Sequence, residues 1–300
     1  MTILRVAHSA HGAGNCPLLI AMADGFFEAE GLDVKRTAGP STGPLLDELL
    51  TNGCDFAISA GIPIISAAEA GGTPVVLLSL VSRNLFAIVA RAGIYAEDLQ
   101  GARIGVTGVN DQDGIVMRRA LQQFGIPETA VEFVELKSRD RLWKSLETRD
   151  IAAFAVTPPL SVRAKLAGYA VLHDFFPKSP HYQLGSIITT QQFRHDNDRA
   201  VRRFIRALRR GIKSFETDID HAMPYLRECT GLTDETVLRR THAVFAKAMK
   251  DARPRAEALD NVRRDLEFAR GTSVNVDCND LVDTSVFDTI TSVGETGSAT

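Results

Sequence analysis

Val6-Ala7-His8-Ser9-Ala10-His11-Gly12-Ala13-Gly14-Asn15-Cys16-Pro17 links an apolar run, Ile3 to Ala7, to a second apolar stretch that ends at Gly31. The first run reads as a buried strand. After it comes a glycine-rich loop carrying two histidines, an asparagine and a cysteine. Pro17 suits the first turn of a helix over Leu18–Ala29, and Gly31 suits its stop. A strand, a polar glycine loop and a helix N-terminus together point backbone N–H groups at a place where a small ligand can sit.

The same rhythm continues outward. Apolar runs at Asp55–Ile58, Val75–Val81, Ala87–Ala90, Arg103–Val106, Val131–Leu136, Ala152–Val156 and Ser186–Thr189 read as strands. Helical patterns lie between them at Pro44–Leu50, Ile62–Ala70, Gly114–Phe124, Arg139–Glu147 and Pro159–Leu166. This alternation predicts an α/β protein with parallel-rich sheets flanked by helices. Beyond Gln191 the pattern turns helical, with Asp198, Asp220 and Thr233 as candidate N-caps. Turn-rich joints near Gly93–Gly101 and Pro177–Pro180 bound an insert of small-domain size. The expected division is a discontinuous domain 1 (1–88 and 188–293), an inserted domain 2 (89–187) and a disordered tail (294–300).

Composition narrows the function classes. The 300-residue chain is 45% hydrophobic and 24% charged with a net charge of −3, so it lacks the basic excess that neutralises nucleic-acid phosphates. The local exception, Arg202 to Arg210, spreads its arginines around a helix and reads as a solvated face. No run is long and apolar enough for a membrane span. Cys16, Cys54, Cys229 and Cys278 form no C-x-x-C pair, which fits neither a disulfide framework nor a zinc ribbon. No secretory signal is recognisable after Met1. The expectation is a cytoplasmic protein as written, periplasmic if a leader precedes it, with no cofactor and no metal.

Ala21-Met22-Ala23-Asp24-Gly25-Phe26-Phe27-Glu28-Ala29-Glu30-Gly31-Leu32-Asp33-Val34 resembles a signature of type 2 periplasmic-binding folds. The branch it is most similar to holds sulfonate, nitrate and taurine binding proteins and the thiamine-pyrimidine synthases. Gly53–Ala60, Ala68–Val75 and Leu99–Val106 resemble further segments of that family, and the likeness runs over about residues 3–215. The resemblance implies two α/β lobes around a central ligand cleft, with ligands held by the loops after strands. A small-molecule ligand and an ABC permease are the implied partners. Asn15-Cys16-Pro17 is also similar to the active-site segment of hydroxybiphenyl sulfinate desulfinase. The histidine and the R-x-G-G arginine found there have no counterpart in Ala57-Ile58-Ser59-Ala60-Gly61. The cysteine-rich iron motif of the synthases is absent too.

Carried onto these loops, the candidate ligand contacts are His8, His11, Asn15, Cys16, Thr42, Ser59, Gly61, Arg83, Asn110, Asp113 and Thr157. The field at a helix N-terminus lowers a thiol pKa, which makes Cys16 a candidate nucleophile with His11 as its catalytic partner. His8 and His11 have H-x-x-H spacing but sit on a loop with no evident third ligand, so hydrogen bonding to a ligand is the preferred role. Asp111 and Asp113 stand where anion-binding relatives favour hydroxyls. One of them is a candidate N-cap, and either would repel a sulfonate or nitrate if it faced a ligand. Arg83 could hold a carboxylate. The main reading is binding of a small polar organic molecule, as an importer's solute-binding protein or a cytosolic relative. The alternatives are a desulfinase-, decarboxylase- or lyase-like enzyme using Cys16 and a loop histidine, and a regulatory module.

Overall fold

A computed structural model describes residues 1–9, 12–39 and 42–289, apart from the side chains of Thr42 and Gly43. The strands are β1 (Thr2–Ser9), β2 (Leu32–Gly39), β3 (Phe56–Ser59), β4 (Pro74–Arg83), β5 (Ala87–Ala90), β6 (Arg103–Val106), β7 (Glu132–Glu135), β8 (Ala153–Val156), β9 (Ala170–Asp174) and β10 (His181–Thr190). The helices are α1 (Cys16–Ala23), α2 (Phe26–Ala29), α3 (Thr42–Leu50), α4 (Gly61–Glu69), α5 (Gln112–Phe124), α6 (Arg139–Glu147), α7 (Leu160–Leu166), α8 (Gln191–Asp196), α9 (Asp198–Thr217), α10 (Ile219–Thr230), α11 (Glu235–Met249) and α12 (Ala256–Arg270). Two compact units result, one of residues 1–83, 181–263 and 274 onward, the other of 84–180 and 264–273.

In the first unit the sheet order is β2-β1-β3-β10-β4. β1 runs parallel to β2 and β3, whereas β10 is antiparallel to both β3 and β4. α9 covers this sheet because its apolar residues recur at three- and four-residue intervals. Val201, Phe204, Ile205, Leu208, Ile212 and Phe215 are all buried. Phe204 stacks on Phe56 at 4.1 Å and on Phe27 at 5.1 Å between ring centroids. Four arginines of the same helix have partners within the chain. Arg202 binds Asp198, Arg206 binds Glu30, and Arg209 and Arg210 lie over the rings of Phe287 and Phe26. Gly211 lets α9 press against α1, because an added Cβ would overlap the Pro17 carbonyl oxygen and lie 2.9 Å from the Ala21 Cβ.

Local chemistry shifts several boundaries. The expected helix over Leu18–Ala29 is broken at Gly25, whose φ of 70° is left-handed, and yields α1 and α2. β2 starts at Leu32, directly after Gly31, and was not expected from the apolar runs. Capping also moves along the chain. Asp218 accepts from the His221 N–H at 2.9 Å and Asp234 from the Val237 N–H at 3.0 Å, in place of Asp220 and Thr233. Asp198 lies inside the first turn of α9, where it pairs with Arg194 and Arg202 rather than capping.

The second unit repeats the plan, with order β7-β6-β8-β5-β9. β6 is parallel to β7 and β8, and β5 is antiparallel to β8 and β9. Leu142, Leu146, Ile151 and Phe154 fill its core with Trp143. Residues 264–273, which the sequence groups with domain 1, belong to this unit. Arg119 binds Asp265 at 2.8 Å, and Arg118 donates to the Ala269 carbonyl at 2.9 Å. The expected tail at 294–300 lies outside the described residues.

Candidate functional site

Parallel pairing brings the carboxyl ends of β1 and β3 to one edge of the first sheet, since Ala7 is in register with Ala57. His8 is the penultimate residue of β1 and only 3% exposed. Its Nδ1 lies 2.8 Å from the Ser9 carbonyl oxygen, which can only accept, so Nδ1 carries the proton. Nε2 is buried and has no hydrogen-bond partner among the described residues. Burial lowers the His8 pKa from its ordinary value, and the nearby charge of Arg36 acts in the same direction. Arg36 is itself paired with Glu228 at 2.8 Å.

Asn15 is also buried, and its Nδ2 donates to the same Ser9 carbonyl at 2.8 Å. That bond ties the start of α1 to the end of β1. The Gly12 N–H donates to the Cys229 carbonyl at 2.8 Å, which pins the loop to the end of α10. Cys16 follows as the first residue of α1 and is fully buried. Burial, then a hydrogen bond with the Cys229 thiol, push its pKa well above the usual thiol value. The expected accessible, acidic thiol is therefore not what the fold produces. Desolvation outweighs the field of the helix end.

Ser59 ends β3, buried, with its hydroxyl directed at the Ala60 carbonyl. Gly61 begins α4 where a Cβ would lie 2.9 Å from the Gln183 carbonyl and 2.8 Å from Val262, so only glycine fits. Sequence reasoning missed the polar group beneath this edge. The Gln183 Nε2 donates to Ser79 and Ser186, and the Ser186 hydroxyl donates to the Ser59 carbonyl. The available signal was a glutamine and a serine within the apolar run of β10. Arg83 ends β4 opposite His181. Burial lowers the His181 pKa, as do the charges of Arg255 and Arg83. Thr42 contributes backbone to the start of α3, with its side chain outside the described residues, and His11 lies wholly outside them.

In the second unit the loop after β6 folds on its own carboxylates. Asp113, 7% exposed, accepts from the Thr107 N–H at 2.7 Å and the Thr107 hydroxyl at 2.6 Å. Asp111 occupies the N-cap position of α5 without a side-chain capping bond and meets the same hydroxyl at 3.0 Å. Glu135 accepts from the Val109 N–H at 3.0 Å and holds Lys137 at 2.6 Å. Burial raises the Asp113 pKa, and the bonds from Thr107 oppose that shift. Asn110 is exposed at the tip of this loop, and Thr157 is half-buried at the end of β8. Gly114 is required in the first turn of α5, where a Cβ would collide with the Gly108 and Val109 carbonyls.

Among the described residues no group of three or more His, Cys, Asp or Glu is placed to hold a metal ion. No helix among them is long and apolar enough to cross a membrane. Two surface cavities lie beside other elements, neither of them lined by His8, Asn15 or Ser59. One of about 540 Å³ is lined by Arg91, Arg149 and Tyr169, and one of about 380 Å³ by Gln191, Arg194 and Asp283.

Residues 14–218 match the family described as NMT1/THI5 like. The chain belongs to this family. No curated protein sequence matches it significantly. Its fold is that of the periplasmic binding proteins, shared with solved structures over nearly the whole chain. A putative periplasmic sulfonate-binding protein from Methylobacillus flagellatus matches at 15% identity and a TM-score of 0.79, over 99% of this chain and 96% of that one. The nitrate-binding protein NrtA of Synechocystis matches at 11% identity and a TM-score of 0.72, over 98% and 89%. A Candida albicans protein, CA3427, described as having the generic periplasmic binding protein fold, matches at 18% identity and 0.71, over 95% and 97%.

Proposed function

We propose that this NMT1/THI5-like chain is a solute-binding protein that holds a small polar organic molecule at the carboxyl ends of its strands and passes it to the permease of an ABC-type importer. The observation that carries the reading is the buried Nε2 of His8, which has no partner among the described residues. Leaving such a group unpaired costs about 1–3 kcal/mol, and a bound ligand removes that cost. The site stands at the end of a parallel strand beside a helix N-terminus, where open α/β sheets place their ligands. The agreement in fold over nearly the whole chain with the sulfonate- and nitrate-binding structures supports the reading.

His8, Asn15 and Ser59 in the first unit, and Asn110 and Thr157 in the second, are the proposed contacts. Gly61 and Asp113 shape the loops that carry them. His11, Thr42 and Arg83 are proposed as further contacts, while Cys16 is proposed to support the loop from beneath. Isothermal titration against a panel of small sulfonates, nitrate, amines and amino acids tests the proposal. One saturable ligand is expected, and it should stabilise the fold by about 2.7 kcal/mol at a hundredfold excess over Kd. A panel without any binder would refute it.

A further inference from the structure

The solved neighbours include proteins named for sulfonate and nitrate, ligands that only accept hydrogen bonds. The strand ends of this chain are built for the opposite partner. In the first unit the Ser9 carbonyl fixes the proton of His8 on Nδ1 at 2.8 Å, which leaves Nε2 as a bare lone pair. Burial favours the neutral ring, so Nε2 stays an acceptor at neutral pH. Arg36, whose charge acts on the ring, is already paired with Glu228.

In the second unit two amides of the loop that precedes α5 are occupied. The Thr107 N–H is taken by Asp113 and the Val109 N–H by Glu135. Asp111 adds a third carboxylate to the loop, and Lys137 is paired with Glu135. An oxyanion arriving there would meet like charge, whereas a nitrogen donor would meet acceptors.

We infer that the ligand meets the strand end of the first unit as a hydrogen-bond donor, an amine or a protonated nitrogen base, through a bond donated to His8 Nε2. The inference rests on the solute-binding reading and names the ligand chemistry within it. Nε2 is buried without a partner among the described residues, and the donor supplies the bond that it lacks.

Two measurements on the full chain decide the matter. Nitrogen NMR of the histidine rings, assigned with His8→Gln, is expected to show Nε2 of His8 bare and Nδ1 protonated. A protonated Nε2 overturns the inference whatever binds. Thermal-shift and calorimetric titrations then compare methanesulfonate and nitrate with ethylamine, putrescine and benzamidine. At least one nitrogen probe is expected to bind, with affinity falling about 10-fold or more in His8→Ala. His8→Gln, whose amide oxygen can still accept, should retain part of that affinity. Circular dichroism of both variants separates lost binding from lost folding. Binding of methanesulfonate or nitrate that depends on His8 overturns the donor assignment and leaves the solute-binding reading intact. Silence from every probe counts against the solute-binding reading itself, and the ring tautomer then decides the acceptor assignment alone.

Discussion

Gly211→Ala reverses the usual effect of an alanine in a helix. Inside an exposed helix the change stabilises by about 1 kcal/mol, because glycine gives up more backbone freedom on folding. Position 211 lies deep within α9, so that gain is present here too. Against it stands the approach to α1. The new methyl would overlap the Pro17 carbonyl oxygen and sit 2.9 Å from the Ala21 Cβ and 3.2 Å from the Ala21 nitrogen. Backbone atoms and a Cβ cannot rotate aside, so the helices must part by roughly 1 Å, enough to forfeit a quarter to a half of the dispersion attraction across the contact. Overpacking of this kind costs about 1–3 kcal/mol or more, and the clash wins over propensity. With two overlaps against atoms that cannot move, a cost at the upper end of that range, about 2–3 kcal/mol, less the gain of about 1 kcal/mol leaves a net loss of about 1–2 kcal/mol, which lowers the unfolding midpoint by about 2–8 °C. Because α1 begins at Cys16, directly after Asn15, the same displacement should weaken the Asn15–Ser9 bond and with it ligand binding. Calorimetry of the variant beside the wild type measures the shift. An unchanged or higher midpoint would show that α1 and α9 are not held in contact at Gly211, and the reasoning would fail.

Thiol reactivity gives a second check. Burial pushes Cys54 up to about 12 and Cys278 to about 11, and Cys16 is raised well above the usual value. At about pH 8 the Cys54 thiolate is then about a thousandfold scarcer than in an ordinary thiol, so all four buried cysteines should alkylate slowly until denaturant is added. Rapid native modification of Cys16 would sink this and reopen the nucleophile reading. The histidines set a pH dependence. His8, His173 and His181 all have pKa values lowered from 6.5 by burial, so the folded state prefers their neutral rings. Their contribution is present above pH 6.5 and is lost as pH falls through 6.5 toward the folded values. Urea unfolding at several pH values between about 7.5 and 5 should show declining stability, less steeply in His8→Gln; a flat profile would contradict the burial of these rings.

Much of the fold was legible because burial writes a period into sequence. β3, β4, β5 and β8 are largely continuous apolar runs, β1 and β6 carry shorter ones, and α9 carries its core residues at helical spacing. β2 escaped because Leu32-Asp33-Val34-Lys35-Arg36 alternates, one face buried and one in water, and it abuts Gly31, which had been read only as a stop. The missed caps have a similar cause. Asp218 and Asp234 lie within two residues of the positions expected, and choosing between adjacent polar residues takes the backbone torsion, not the residue type. At the site, the loop positions followed from strand ends. The Gln183–Ser79–Ser186 network did not, because β4 and β10 are adjacent only through a crossover that no local pattern records.

Cys16 shows why position and environment must be weighed together. The end of a helix dipole is worth about 0.3–1 kcal/mol to an exposed anion, less than one pKa unit at 1.36 kcal/mol per unit. Burial acts more strongly on a thiol, and it pushes Cys54, a less enclosed cysteine elsewhere in the first unit, up to about 12. The field that favours a reactive thiolate can therefore act only on a group that water reaches, and Cys16 is closed off by the Cys229 thiol of α10. His8 is enclosed in the same region, with a different result. A neutral imidazole tolerates burial, and its Ser9 bond leaves the second nitrogen as an acceptor. The same desolvation that raises the cysteine pKa lowers that of the histidine and so keeps its ring in the form that can receive a donor.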